Sequence, residues 1–257
     1  MKRFLICILL LVASQTLAND CGGWNSDWDT TKKFFESASL EVVTACLAAG
    51  ADPTVRGRYG YTPLHWVARS NEDPASITLL LDAGAEVMGR SSSNLTPLHW
   101  AAWFNENPAI IALLIDAGAD VNTLDDFGAT PLHYAAENNQ NPAVTSLLLE
   151  IGADVDARNK FLYTPLHEAA GSNQNPAVIA VLLEAGADLF ALGGFRSTPL
   201  HTAAAHNPNP AVITTLLDAG ADANLQDGYD KTPWDYAKDR DELRGTDAYL
   251  RLQDASF

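Results

Sequence analysis

Thr62-Pro63-Leu64-His65, Thr96-Pro97-Leu98-His99, Thr130-Pro131-Leu132-His133, Thr164-Pro165-Leu166-His167 and Thr198-Pro199-Leu200-His201 are five copies of one phrase, each 34 residues after the last. Thr232-Pro233-Trp234-Asp235 continues the interval in degenerate form. A second phrase keeps the same step: Gly50-Ala51-Asp52, Gly84-Ala85-Glu86, Gly118-Ala119-Asp120, Gly152-Ala153-Asp154, Gly186-Ala187-Asp188 and Gly220-Ala221-Asp222. Two phrases in phase mark a repeat protein in which each copy is one supersecondary unit.

The residues between the phrases spell that unit. Thr before Pro is an N-cap followed by the helical position where a missing N–H costs nothing, so a first helix starts there. It carries a small pair, such as Ala135-Ala136 or Ala169-Ala170, that lets neighbouring helices approach closely. Asp73-Pro74, Asn107-Pro108, Asn141-Pro142, Asn175-Pro176 and Asn209-Pro210 start a second helix by the same logic. Ile111, Leu114 and Ile115, or Ile179, Leu182 and Leu183, give it one apolar stripe at i, i+3, i+4, too narrow to bury itself alone. The following Gly sits where a helix ends in the left-handed conformation. A turn or hairpin then leads to the next Thr-Pro.

These phrases resemble the ankyrin repeat over roughly residues 27–254. The resemblance implies an all-α fold, a curved ankyrin-repeat solenoid with a helix-turn-helix and a projecting hairpin per copy. The expected organisation is a signal peptide at 1–18, a leader and N-terminal capping repeat at 19–61, and five full repeats at 62–95, 96–129, 130–163, 164–197 and 198–231. A C-terminal capping repeat at 232–257 closes the array, its alternating charges facing water where no copy follows. The 34-residue period and the Asn-Pro starts look like those of exported bacterial repeat proteins. Two residues before Thr, where the family usually has Gly, stand Gly60, Asn94 and Gly128 but Leu162, Arg196 and Asp230. Leu and Arg avoid positive φ, so the later hairpins are expected to differ in turn geometry or to be looser.

Lys2 and Arg3 followed by the apolar run Phe4–Ala13 and a small residue at Ala18 read as a secretory signal cleaved after Ala18. The run is too short to span a bilayer, so no membrane insertion is expected once it is removed. The expected location is exported, periplasmic or secreted. Removing Cys7 leaves Cys21 and Cys46 in an oxidising setting, where a disulfide would tie the leader to the first helical unit. Alternatively, Cys46 is only a small buried helix residue.

The net charge is −16, with no basic run beyond the first residues, which argues against nucleic acid as a partner. Five of six histidines lie in the repeat phrase. In the resembled family that imidazole bonds the Thr hydroxyl and braces the turn. His206 reads as a surface residue, so no free base is left for a nucleophile or a metal triad. No phosphate loop, Cys-x-x-Cys pair or calcium loop is present, and no catalytic residue, metal or cofactor is expected. A two-carboxylate hydrolase is the weakest alternative.

The resemblance places hairpin tips and the open side of the first helix against a partner. Those positions hold Tyr59, Tyr61, Trp66, Trp100, Trp103, Phe104, Phe127, Tyr134, Phe161 and Tyr163. Packing of tip rings on one another, and of Trp66 and Trp100 over the helix seam, is the competing account. Trp103 and Phe104 fit binding better, because other copies carry polar or small residues there. The expected function is a non-catalytic, monomeric protein-binding module whose acidity steers it towards basic surfaces. An acidic inhibitor or immunity-type regulator of an enzyme in the same compartment is the rival.

Overall fold

The computed structural model describes Cys21, Trp24, residues 28–70 and residues 73–256. The expected signal peptide lies outside them. Among the described residues the chain is all-helical, with no strand. The helices are α1 (Trp28–Ser37), α2 (Leu40–Ala48), α3 (Pro63–Ser70), α4 (Pro74–Asp82), α5 (Pro97–Phe104), α6 (Pro108–Asp116), α7 (Pro131–Asn138), α8 (Pro142–Glu150), α9 (Pro165–Ser172), α10 (Pro176–Glu184), α11 (Pro199–His206), α12 (Pro210–Asp218), α13 (Pro233–Ala237) and α14 (Asp247–Ala255). They form two compact units, one of the described residues up to Ala101 with Ala109–Asp120, the other of Ala102–Pro108 with the described residues from Val121 on.

In the second unit each first helix from α7 onwards starts in a capping box. The Thr130 Oγ1 accepts from the His133 backbone N–H at 3.4 Å, and the Thr130 N–H donates back to His133 Nδ1 at 3.1 Å. Histidine thus fills the place that Glu or Gln takes elsewhere. With Nδ1 accepting, the ring is the neutral Nε2–H tautomer, and that N–H reaches the carbonyl just before the next Thr. The pairs are His65 to Leu95 O (3.0 Å), His133 to Tyr163 O (3.1 Å), His167 to Ser197 O (3.0 Å) and His201 to Lys231 O (3.1 Å). Burial holds the imidazoles of His65 and His167 down at about 4, which keeps them neutral. The second helices of the later copies are capped by Asn, as where Asn141 Oδ1 accepts from the Ala143 N–H at 3.0 Å, and α4 is capped in the same way by Asp73.

In the first unit, Val43, Cys46, Leu64, Val67, Ile77 and Leu80 are buried between helices. Each such aliphatic side chain contributes on the order of 2 kcal/mol. Cys21 and Cys46 form a disulfide, with sulfurs 2.06 Å apart and Cα atoms 5.5 Å apart. It holds the leader against α2, and Trp24 Nε1 donates to Asp52 O at 2.9 Å beside it.

In the second unit, Leu132, Leu148, Leu166, Ile179, Leu182 and Ile213 repeat the same core. A buried asparagine ladder runs alongside it. Asn139 Nδ2 donates to Ala102 O (3.0 Å) and Asn105 O (2.9 Å). Asn173 does the same to Ala136 O and Asn139 O, and Asn207 to Ala170 O and Asn173 O, each within 3.0 Å. Each amide satisfies carbonyls at the C-terminal end of the preceding first helix, which no helical N–H reaches.

The expectation of a different turn geometry holds for the hairpin of Arg196 and needs correction for those of Leu162 and Asp230. Leu162 (φ 64) and Asp230 (φ 58) adopt the same left-handed conformation as Asn94 (φ 60) and Gly128 (φ 72). The reason is an anchor residue that overrides their steric preference. Asn159 Oδ1 accepts from the N–H groups of Phe161 (2.9 Å) and Tyr163 (3.0 Å), and Asp125 and Asp227 bracket their own turns likewise. The turn geometry changes instead where glycine stands at the anchor position. At Gly57 and Gly193 there is no side chain to bracket the tip, and two consecutive residues turn left-handed: Tyr59 and Gly60, and Phe195 and Arg196. Gly193 is fixed by space, because a Cβ there would lie 2.5 Å from the Tyr163 ring.

Candidate partner-binding surface

The tip rings of the second unit are placed by backbone bonds between neighbouring hairpins. The Lys160 N–H donates to Phe127 O at 2.8 Å, and the Gly228 N–H to Phe195 O at 2.6 Å. These bonds bring the rings together in pairs. Phe127 and Phe161 stack with centroids 6.4 Å apart at 22°, and Phe195 and Tyr229 at 5.1 Å and 29°. All four stay open to solvent, at 54%, 58%, 70% and 59% exposure. Pairwise packing accounts for their orientation but leaves the outer faces bare. Phe195 and Tyr229 belong with the expected site residues although the ten positions chosen from the sequence stop at Tyr163. Their place three residues before Thr was the signal.

Trp103 is half-buried between Phe104, stacked on it at 4.5 Å, and Tyr134, whose ring is 4.8 Å away. Phe104 is exposed. The Tyr134 hydroxyl donates to Asp125 Oδ2 at 2.7 Å, and Tyr236 to Asp227 Oδ2 at 2.6 Å, so each anchor also holds the fourth residue after Thr. In the repeat between them the same bond runs from Asn159 Nδ2 to Glu168 Oε1 at 2.9 Å. Tyr163 is half-buried, stacked on His167 at 5.3 Å and 17°.

In the first unit the expectation is corrected for two residues. Trp66 and Trp100 are 2% and 4% exposed, and they spend their surface on each other, 5.0 Å apart and edge to face. Tyr61 packs on Trp100 at 4.3 Å and is half-buried. A large ring four residues after Thr meets the next copy's ring there, which turns two would-be contact residues into core. Tyr59 remains exposed, with the Arg58 guanidinium 4.9 Å over its ring.

Sequence reasoning also missed a pocket in the second unit. It is about 160 Å³, walled by Phe127 and Phe161 with Tyr134 beside them, and Glu137 and Glu168 line it together with Asn159. Burial pushes the Glu168 carboxyl up to about 7; the Glu137 charge adds to this and the Asn159 bond opposes it. Burial raises Glu137 as well. The two carboxyls at neighbouring positions of α7 and α9 thus share a partly desolvated niche lined by aromatic rings, where burial and each other's charge resist ionisation. Among the described residues, no group of three His, Cys, Asp or Glu side chains could hold a metal ion. No described helix is long and apolar enough to cross a membrane.

Family models described as ankyrin repeats in three copies match residues 35–125 and 104–192, and one described as ankyrin repeats in many copies matches residues 182–237. Among solved structures, the chain is similar to the human ASB11 ankyrin repeat domain, with 25% identity and a TM-score of 0.74 over 87% of this chain and 96% of that one. Among curated proteins none matches.

Proposed function

The chain belongs to the ankyrin-repeat family, whose repeats generally mediate protein–protein interaction and are typically non-catalytic, and from that premise we propose an exported module that grips a protein partner through its hairpin tips. The observation that carries the reading is the row of four bare rings, Phe127, Phe161, Phe195 and Tyr229. Aromatic side chains stacked in pairs with open outer faces are rigid, lose little entropy on binding and are over-represented at interface hot spots. Phe104 and Tyr59 add exposed rings of the same kind. Trp66 and Trp100 drop out of the contact set, Tyr134 and Tyr163 brace the hairpin anchors, and Tyr61 and Trp103 are half-buried against neighbouring rings. Export rests on the Lys2-Arg3 start with its apolar run, and the Cys21–Cys46 bridge suits an oxidising compartment.

The test is affinity capture from the native envelope fraction, read by mass spectrometry, with wild type against Phe195→Ala/Tyr229→Ala and Phe127→Ala/Phe161→Ala. Proteins held by wild type and lost from both variants, at unchanged melting, support the reading. Equal capture by all three chains overturns it. An enzyme among the captured proteins whose activity falls on binding would favour the inhibitor form of the same function.

A further inference from the structure

We infer that the niche between Phe127, Phe161, Glu137 and Glu168 is a receptor for one arginine side chain presented by the protein partner, an inference that rests on the protein-binding reading above. The cavity, about 160 Å³, is smaller than a cofactor or drug-sized ligand needs and suits a single head group. Its walls and its charge ask for different things that one group supplies together. The aromatic lining favours a flat, weakly hydrated cation, and the two carboxylates favour a donor that can serve both at once. A guanidinium is planar, permanently charged and carries five N–H donors in a fixed fork.

The chain itself does not meet that demand. Neither Glu137 nor Glu168 has an ion pair among the described residues, and Glu168's recorded bond is the one from the neutral Asn159 amide. The nearby Lys160 ammonium is engaged with Asp126 O at 2.5 Å and Arg158 with Leu192 O at 3.2 Å. Nor does the architecture require the acids. At the position of Glu168 the other copies carry Trp66, Trp100, Tyr134, Thr202 and Tyr236, and at that of Glu137 the other full copies carry Arg69, Trp103, Gly171 and Ala205, an acid recurring only at Asp239 of the closing copy. Two carboxylates lining one niche, partly removed from water, destabilise the unliganded chain, and a cation seated beside both relieves them. The net charge of −16 steers a basic surface towards the niche before contact.

The test titrates the full chain, carrying ¹³C-labelled glutamate carboxyls, with acetyl-Gly-Gly-Arg-Gly-Gly-amide and with its citrulline counterpart, a neutral isostere. The expected result is that the arginine peptide shifts the Glu137 and Glu168 resonances and lowers the Glu168 midpoint by about one pH unit, and that citrulline does neither. Glu137→Gln/Glu168→Gln should weaken the arginine peptide at least tenfold, and Phe127→Ala/Phe161→Ala should do so with both carboxyls intact. Equal response to citrulline, no response to arginine, or undiminished arginine binding by the glutamine variant overturns the inference. If partner capture survives the glutamine variant, the arginine niche falls and protein binding through the tips stands. If capture ignores every tip substitution, the wider reading falls whatever the peptide does.

Discussion

Arg240 takes over from Asn207 where the ladder of the second unit ends. Its guanidinium donates to Asn207 O at 2.9 Å and Ala204 O at 3.0 Å, the two carbonyls that a following asparagine would have served, and also reaches Ala203 O at 3.4 Å. Glu242 holds the guanidinium from the other side at 2.7 Å. The last full copy is therefore closed by a charged group that reaches water, which an amide buried between two copies does not do.

Arg240→Ala should strip the Ala204 and Asn207 carbonyls of their donor, Ala203 O keeping the Asn207 N–H, and lower stability by about 2–3 kcal/mol, the usual range for bonds to a charged group. Hydrogen exchange should localise the loosening to α11 and the following turn. Uniform exchange across the unit would count against a local cap.

Thr145→Val should stabilise the chain by about 1 kcal/mol. Thr145 is fully buried in α8 and its hydroxyl has no hydrogen-bond partner, whereas Ile77, Ile111, Ile179 and Ile213 occupy that position elsewhere. Valine keeps the shape and removes the stranded hydroxyl. A lower denaturant midpoint for the variant would contradict this.

Leu162→Asn should raise the unfolding free energy by about 0.5–1 kcal/mol, since a branched hydrocarbon at φ 64 is strained and asparagine tolerates that region. Asn94 already stands at the matching position at φ 60. The leucine is exposed, so no packing is lost. Chemical denaturation of both chains decides it.

The histidines and Glu168 pull the pH profile in opposite directions. The imidazoles of His65 and His167 are held down at about 4 from an ordinary 6.5, with burial lowering His133 and His201 as well. The unfolded chain then binds more protons, so their contribution is complete above 6.5 and is lost as pH falls towards 4. Glu168 is raised from 4.5 to about 7, so its contribution is present below 4.5 and is lost as pH rises towards 7. Melting temperature should fall from pH 6.5 to 4, and Glu168→Gln should steepen that fall by removing the opposing group. Parallel curves for the two chains would refute the assignment.

Reducing the Cys21–Cys46 bridge should cost about 3 kcal/mol in the chain-entropy account for a separation of 25 residues. The loss should appear in the first unit, in protection of α1 and α2. Protection unchanged in Cys46→Ser would show that packing of Trp24 and Phe35 suffices there.

Helix starts, helix ends and the core were legible because each is written in local chemistry that recurs every 34 residues. Thr130-Pro131 or Asn141-Pro142 needs no distant partner to be read. The hairpins of Leu162 and Asp230 were misread for the opposite reason. The left-handed Leu162 depends on Asn159, three residues earlier, whose side chain outweighs the steric preference of leucine itself. Trp66 and Trp100 were legible as large rings at one position, but nothing in either copy alone says that the two rings meet 34 residues apart. The niche was hidden because Glu137 and Glu168 occupy different places in their own copies, seven and four residues after Thr, and only stacking makes them neighbours.

The asparagine ladder has a consequence for how such a chain can change length. Asn207 asks of its neighbour only the carbonyls that Ala170 and Asn173 offer, and Ala136 and Asn139 offer the same pair to Asn173. An in-frame excision of residues 164–197, or a tandem duplication of them, would therefore leave every amide with a matching acceptor at the new junction. Unequal crossing-over can lengthen or shorten the array by whole modules without inventing a new interface, and what changes is only which tips stand side by side.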